Sequence, residues 1–509
     1  KRGPEYSIIQ KVYDKTIFGF HRLAINGIDE GSHQPLQVND IQLIANGEIY
    51  NYKQLYESLK IQKTTNSDCE IIIHCYLKYG IDYTLQLLDG VFSFILLDMK
   101  KQELYIARDP LGVRPLYMVT NNDNIAFAST LDMLSLYNSK KTHFLPGTYS
   151  VYNLQMNKWY HEYNKQYFQK SFSPIKFIKD NSLDFILQNI HTQFIEAIYK
   201  RCQTTDRPIA CLLSGGLDSS LIASIVNKYN QDNNLGILQT YSIGLEGSED
   251  LKYADKVAKF LGTDHISVKL TENQLINSIP EVIQNIESYD TTTIRASIGN
   301  YLLSKYISEH SDAKVIFSGE GADELMGGYL YMNYADNEIE FDHECHRLLN
   351  DIYLYDVTRC DKSISSNGLE PRTPFLDKNF INYYLSIPKQ IRYQTNQQFE
   401  KYLLRKAFSK EKSGISYLPE EILWRRKEAF SDGISSKKRS TVDIIKDYCE
   451  LNVTIMIKYQ YNQPKTKEQF YYRGLFDAFF PNQSHIIPYF WMPKYIDAED
   501  PSARTLTIY

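Results

Sequence analysis

The stretch that most constrains the fold runs from Ile209 to Val226. Ile209-Ala210-Cys211-Leu212-Leu213 is apolar, Ser214-Gly215-Gly216-Leu217-Asp218-Ser219-Ser220 is small and polar, and Leu221-Ile222-Ala223-Ser224-Ile225-Val226 resumes with a helix-like pattern. A buried strand that passes through a small-residue turn into a helix gathers free backbone N–H groups and the positive end of a helix dipole at one point, where phosphate binds. The turn does not end in Gly-Lys-Ser/Thr, so it brings no lysine to a γ-phosphate. Asp218 stands instead where it could hold magnesium on a pyrophosphate. This favours chemistry at the α-phosphate, with pyrophosphate leaving and an AMP ester remaining. The plainer alternative is a serine-rich turn that only caps a helix.

A matching element lies further on. Ala313-Lys314-Val315-Ile316-Phe317 reads as a second buried strand, followed by Ser318-Gly319-Glu320-Gly321-Ala322-Asp323-Glu324. Glycines keep this loop open, and three carboxylates stand within five residues. Carboxylates that close repel one another unless a cation or a raised pKa relieves them. One of them could ligate magnesium beside Asp218 and another could act as a base; an acidic solvated loop is the alternative.

A chain of 509 residues exceeds one hydrophobic core, so two or more domains are expected. Its 43% hydrophobic content is that of a globular protein. A net charge of -5 gives no electrostatic case for nucleic acid, and no apolar stretch approaches the roughly 18 residues that span a membrane. The seven cysteines have no paired metal spacing, and their odd number points to reduced thiols in a cytosolic setting.

Residues 1 to about 150 read as β-rich, with apolar runs at 18–25, 41–45, 91–97, 104–107 and 125–128. Asn46-Gly47 and Asp109-Pro110-Leu111-Gly112 are read as turns between them, and 52–59 and 69–79 as helices. The polar, aromatic stretch 153–180 shows weak periodicity and is taken as linker-like. From about Leu183 strands and helices alternate: a strand at 238–245, an amphipathic helix at 251–261 and a strand at 265–270 join those ending at Leu213 and Phe317. This describes a doubly wound parallel sheet with both phosphate-type loops at carboxyl ends of strands, where such sheets bind ligands. Beyond about Leu330 the chain reads as mostly helical.

In the β-rich part Arg22, Asn46, Gly47, Glu48 and Asp68 form a dispersed polar set. Glutamine needs a cation for its α-carboxylate and an anion for its ammonium; an arginine fork suits the first and Asp68 the second. Asn46-Gly47 alone is better read as a hairpin turn.

Five further segments complete a pattern: Ser288-Tyr289-Asp290-Thr291-Thr292-Thr293-Ile294-Arg295-Ala296-Ser297, Gly368-Leu369-Glu370-Pro371-Arg372-Thr373-Pro374-Phe375-Leu376-Asp377, Trp424-Arg425-Arg426-Lys427-Glu428-Ala429-Phe430-Ser431-Asp432-Gly433, Asp500-Pro501-Ser502-Ala503-Arg504-Thr505 and, at the start, Lys1-Arg2-Gly3-Pro4-Glu5. With the two loops, in this order, the chain resembles the glutamine-hydrolysing asparagine synthetases along its whole length. The resemblance implies a two-domain α/β and α+β protein. An N-terminal-nucleophile glutaminase-type β-sandwich (1–165) and a linker (166–182) would precede a doubly wound ATP-pyrophosphatase-type synthetase domain with a helical C-terminal part (183–509).

The resemblance also implies substrates and sites. Aspartate, ATP and glutamine would be the substrates, β-aspartyl-AMP the intermediate and Mg2+ the cofactor, with a homodimer left open. It places the glutamine pocket on Arg22, Leu23, Ala24, Ile25, Asn26, Asn46, Gly47, Glu48 and Asp68. ATP contacts fall on Leu212, Ser214, Gly215, Gly216, Asp218, Ser219, Ser220, Ile243, Ser318 and Gly319, and the metal on Asp218 and Asp323. Glu320 would handle a proton in the aspartyl-AMP steps, since ammonia loses one as it attacks. Lys427 and Arg295 would neutralise charge on the phosphoryl group, although either could be a structural ion-pair member. The family nucleophile is an N-terminal cysteine whose own amine is the base. Here no cysteine precedes Cys69, and Lys1 and Glu5 depart from the family's His-Arg-Gly-Pro-Asp segment, so the chain is expected to begin a short way inside the native protein. Two rivals remain: another adenylating synthetase of the same fold, such as one closing a β-lactam ring, and a non-catalytic nucleotide or glutamine sensor, against which intact Asp218, Glu320 and Asp323 argue.

Overall fold

The computed structural model describes residues 2–121, 124–155, 158–168, 182–393, 399–426, 434–435, 439–455, 458–498 and 500–501. The chain divides into two compact units. The first is Lys1–Lys170 with two short later segments, Gln203–Arg207 and Gly368–Glu370; the second holds the remainder.

The first unit contains β1 (Tyr6–Tyr13), β2 (Thr16–Arg22), β3 (Leu36–Val38), β4 (Ile41–Ile49), helix α1 (Tyr52–Leu59), helix α2 (Ile71–Leu87), β5 (Gly90–Asp98), β6 (Glu103–Arg108), β7 (Tyr117–Thr120), β8 (Ile125–Ala128), β9 (Lys141–His143), β10 (Thr148–Gln155) and β11 (Lys158–Gln166). Its main sheet is antiparallel, in the order β11-β10-β6-β5-β4-β3. Successive side chains of a strand face opposite sides, so an unbroken apolar strand builds two cores at once. Leu96, Tyr105 and Val151 join α1 and α2 residues such as Leu55, Ile72 and Ile73 on one side. Their neighbours Leu97, Leu104, Ile106 and Tyr152 pack on the other with Phe18 of β2 and Phe144, beside the hairpin β1-β2 and the small sheet β8-β7-β9.

Two sequence expectations are corrected here. Asn46-Gly47 is no turn: it lies inside β4, with Asn46 opposite Ser93 and Gly47 opposite Phe92. A Cβ on residue 47 would overlap the Val91 carbonyl, so the glycine serves close strand approach rather than chain reversal. The linker-like stretch is also shorter than expected. Residues 158–166 form β11, a mostly exposed edge strand whose solvated side chains blur the alternation that would reveal it.

The second unit carries α3 (Leu183–Cys202), β12 (Ile209–Leu212), α4 (Leu217–Asp232), β13 (Gln239–Leu245), α5 (Glu249–Leu261), β14 (Asp264–Leu270), α6 (Glu272–Ile286), α7 (Thr291–His310), β15 (Val315–Phe317), α8 (Ala322–Met326), α9 (Glu338–Asp351), α10 (Asp356–Ser365) and, from Pro371 on, β16 (Glu370–Arg372). The sheet order is β14-β13-β12-β15-β16, and β14, β13, β12 and β15 run parallel. The chain winds from β12 to β14 in one direction and then returns to place β15 on the opposite flank of β12. The crevice between β12 and β15 is therefore the topological switch point, where ligands bind in such sheets. Beyond residue 376 the described elements are helices, among them Tyr402–Ala407, Thr441–Asn452 and Lys467–Phe479.

Candidate active site

Cys211 of β12 lies in register with Phe317 of β15, so the two loops leave the sheet side by side. Their approach is close: a Cβ on Gly319 would stand 3.1 Å from Asp218 Cβ and 3.3 Å from the Ser219 nitrogen. The first loop closes on itself, with Ser219 Oγ accepting the Ser214 N–H at 3.1 Å and Ser214 Oγ accepting the Gly216 N–H at 3.3 Å. Gly216 is the N-cap of α4 and supplies no side-chain cap. The first-turn N–H groups of this 16-residue helix thus keep the valence and dipole that suit an anion. Arg425, stacked on Tyr253 with its guanidinium 3.8 Å from the ring centre, donates to the Gly215 carbonyl at 3.1 Å and holds the loop from outside.

The three carboxylates of the second loop have three different surroundings. Asp323 Oδ1 is 2.6 Å from Lys401 Nζ, and the same nitrogen is 2.5 Å from Asp218 Oδ2. Burial alone would push the Lys401 ammonium down, but the two aspartates outweigh it and hold it above the usual lysine range. Glu320 takes the Arg359 fork, 2.5 Å at Oε2 and 3.3 Å at Oε1, and Arg359 also reaches Asp356 at 2.9 Å. Burial raises the Glu320 carboxyl above its ordinary value, opposed by Arg359. Glu324 turns inward, accepts from the Tyr329 hydroxyl and is pushed well up by burial and by Asp356 and Asp323. One carboxylate is thus shared with a lysine, one is held by an arginine fork, and one belongs to the interior.

Among the described residues no group of three or more His, Cys, Asp or Glu side chains is arranged to hold a metal by itself. Asp218 and Asp323 nevertheless converge on one cationic nitrogen, and Asp218 Oδ1 has no hydrogen-bond partner among the described residues. Two carboxylates of that kind fit Mg2+, which takes few protein ligands and completes its shell with water and phosphate oxygens.

Of the other expected residues, Leu212 is half-buried at the end of β12, and Ser220 and Ile243 are buried in α4 and β13. Ser318 is buried, its N–H donating to the Arg372 carbonyl at 2.9 Å. Arg295 is enclosed within two carboxylate forks: Glu468 at 2.8 and 2.6 Å, and Asp500 at 2.7 and 3.0 Å. Its guanidinium is engaged in the helical layer, which is the ion-pair alternative left open by the sequence. Lys427 lies outside the described residues. Lys401, Arg359 and Arg425 escape sequence reasoning. Only Arg425 carries a signal, its place in the Trp424-Arg425-Arg426-Lys427 segment.

In the first unit the loop after β2 is braced at several points. The Ala24 N–H donates to Glu5 at 2.7 Å, and Arg207 reaches both Glu5 at 2.9 Å and the Ala24 carbonyl at 2.8 Å. The Ile25 carbonyl accepts the Asp206 N–H at 2.9 Å. Asn26 donates to Glu48 and, at 3.0 Å, to the Thr204 carbonyl. Glu5, a departure from the family segment, is therefore an anchor. Arg22 donates from Nη1 to the Asp29 carbonyl and from Nη2 to the Asn26 and Gly27 carbonyls. Asn46 donates to Ser129 at 3.3 Å, and Asp68 accepts the Ile49 N–H at 2.7 Å, so Asp68 and Glu48 meet at the end of β4. Leu23 is half-buried in the same loop. All seven cysteines are buried and unpaired. Burial pushes the Cys69 thiol well up, with Asp68 and Glu48 adding to it.

The architecture defines a class: an amidotransferase-type β unit followed by an ATP-pyrophosphatase-type synthetase unit. The glutamine amidotransferase domain profile matches residues 1–169, and the asparagine synthase profile matches 189–340 and 333–499. The asparagine synthetase [glutamine-hydrolyzing] of Gallus gallus is 42% identical over 537 residues, spanning 100% of this chain and 94% of the relative. The proteins of the same name from Cricetulus griseus and Homo sapiens are 43% and 41% identical over 536 residues, at the same coverage. The chain belongs to the asparagine synthase family.

Proposed function

We propose that the chain makes asparagine from aspartate and ATP through β-aspartyl-AMP, with nitrogen taken from glutamine or ammonia. The observation that carries this reading is the convergence of the two loops at the switch point, where Asp218 and Asp323 meet beside the uncapped start of α4. The first-turn N–H groups of α4, with the Ser214 and Ser219 hydroxyls, bind the pyrophosphate end of ATP. Leu212 faces the adenosine side, with Ile243 packed behind it. Asp218 and Asp323 hold Mg2+, which when bound neutralises charge on the leaving pyrophosphate.

The aspartate β-carboxylate attacks the α-phosphorus, an oxygen–phosphorus bond forms as the bond to pyrophosphate breaks, and the acyl-adenylate results. Ammonia then attacks the acyl carbon and AMP leaves with the carboxylate oxygen. Glu320 accepts the proton that the nitrogen loses; burial raises its carboxyl above the ordinary value, against the opposing Arg359 guanidinium. Arg295 acts as a scaffold rather than a phosphate ligand, and Lys427 remains the candidate for charge neutralisation.

In the first unit the pocket is formed by Leu23–Asn26, Asn46, Gly47, Glu48 and Asp68. Arg22 now bonds neutral carbonyls, which a glutamine α-carboxylate would displace because a charged acceptor binds a guanidinium more strongly. Asp68 and Glu48 serve the ammonium. Cys69, internal, buried and high in pKa, is assigned no nucleophilic role. The buried, unpaired thiols accord with a reducing compartment such as the cytosol.

Isotope transfer tests the reading. With aspartate labelled by oxygen-18 in the β-carboxylate, one label should appear in AMP. Label in inorganic phosphate, with ADP as the other product, would indicate an acyl-phosphate and sink the proposal. Amine-dependent AMP release with aspartate and ammonia also separates it from a β-lactam-forming relative, and any turnover separates it from a sensor.

A further inference from the structure

Lys401 belongs to none of the sequence motifs, yet it joins both loops. It caps the helix Tyr402–Ala407 from a left-handed backbone conformation, with φ of 55°. Its side chain is 2% exposed, and its Nζ stands 2.5 Å from Asp218 Oδ2 and 2.6 Å from Asp323 Oδ1. Room for this bridge comes from Gly328, where a methyl group would overlap both Asp323 Oδ1 and Lys401 Cε. The ammonium is thus built into the packing rather than resting on a surface.

We propose that Lys401 is an internal counter-ion that competes with a divalent cation for Asp218 and Asp323, so that the metal enters only together with the anionic nucleotide. This rests on assigning those two aspartates to the cation. An ammonium and a divalent ion need the same carboxylate lone pairs. With Lys401 in place the trio carries a net charge of about -1, a weak attraction for a dication. Without it the pair carries about -2. ATP phosphates supply the missing negative charge and give the displaced ammonium a new partner, which makes entry of metal and nucleotide mutually dependent.

The test is Mn2+ binding to the full chain, followed by electron paramagnetic resonance with and without a non-hydrolysable ATP analogue. Without nucleotide, Lys401→Met should bind Mn2+ at least about tenfold more tightly than the parent, and its melting temperature should rise on adding Mn2+. Lys401→Arg keeps the charge and should stay weak. Lys401→Gln is the second uncharged variant should the methionine variant fail to fold. A purely structural lysine would lower stability and leave Mn2+ affinity unchanged; equal or weaker nucleotide-free binding in the uncharged variants overturns the proposal. Asp218→Asn and Asp323→Asn separate the two levels. If they leave Mn2+ binding to the nucleotide complex unaltered, the metal assignment itself fails. If they weaken it while Lys401→Met changes nothing, only the counter-ion role fails.

Discussion

Replacing Arg295 by methionine should unfold the second unit more easily without removing a reacting group. The guanidinium makes four hydrogen bonds to Glu468 and Asp500, and the side chains of Arg295 and Glu468 are 3% and 2% exposed. Asp500 keeps a second cation, Lys446, at 3.0 Å, so the stranded charge is mainly that of Glu468. Removing one partner of a buried pair costs about 3–5 kcal/mol, because the other charge remains desolvated. With a urea dependence of about 3 kcal/mol per molar, that lowers the midpoint by roughly 1–1.7 M. Tryptophan fluorescence reports it, since Trp424 and Trp491 both lie in this unit. The double variant Arg295→Met/Glu468→Met removes the stranded carboxylate and should recover at least about 2 kcal/mol, as buried ion pairs replaced by apolar side chains commonly do. Once stable, it should form asparagine from ammonia within about tenfold of the parent rate. A double variant that regains stability but has lost more than about a hundredfold in rate would refute the scaffold role and return Arg295 to the phosphoryl group.

Three further outcomes are expected. Asp218→Asn should lower pyrophosphate release with aspartate and ATP by about 10²-fold or more while leaving the unfolding curve near the parent's; release at the parent rate would dismiss its metal role. Glu320→Gln should reduce asparagine formation at saturating ammonia by on the order of 10² to 10⁴, whereas unchanged turnover would leave Glu320 as the partner of Arg359 alone. Asp290, the buried N-cap of α7, has its carboxyl pushed by burial from 3.8 to about 6. Its folded pKa is thus above its unfolded one, so the folded chain binds the extra proton and this contribution is fully present below about pH 4 and lost as pH rises through 6. The shift corresponds to roughly 3 kcal/mol. Asp290→Asn should therefore gain about that much relative to the parent between pH 4 and 7, and parallel stability curves would contradict it.

The fold was legible where local pattern and tertiary role agree. The β12–α4 and β15–α8 junctions announce themselves because a buried parallel strand is uniformly apolar and its loop is glycine-rich. Asn46-Gly47 misleads because the same dipeptide serves a hairpin turn and a close strand crossing, and only the Val91 carbonyl opposite decides between them. β11 hides because an exposed edge strand needs no apolar face.

The polar chemistry is legible only to the extent that it is local. The three carboxylates of 320–324 are visible as a cluster, but their separate functions are set by Lys401, Arg359 and Tyr329, which lie 78, 39 and 5 positions away from their partners Asp323, Glu320 and Glu324. Coulomb coupling depends on distance in space, and a lysine at the start of a short helix carries no mark of the aspartates it will meet. The same holds for Arg295, whose motif suggests chemistry while Glu468 and Asp500, 173 and 205 positions away, give it a scaffold's surroundings. The members of local motifs are therefore legible from sequence, and the distant side chains that pair with them are not. It is the counter-ions that determine which carboxylate is a base, which faces a cation and which is interior, so functional tests on this chain should perturb Lys401, Arg359 and Arg295 as well as the acidic motifs.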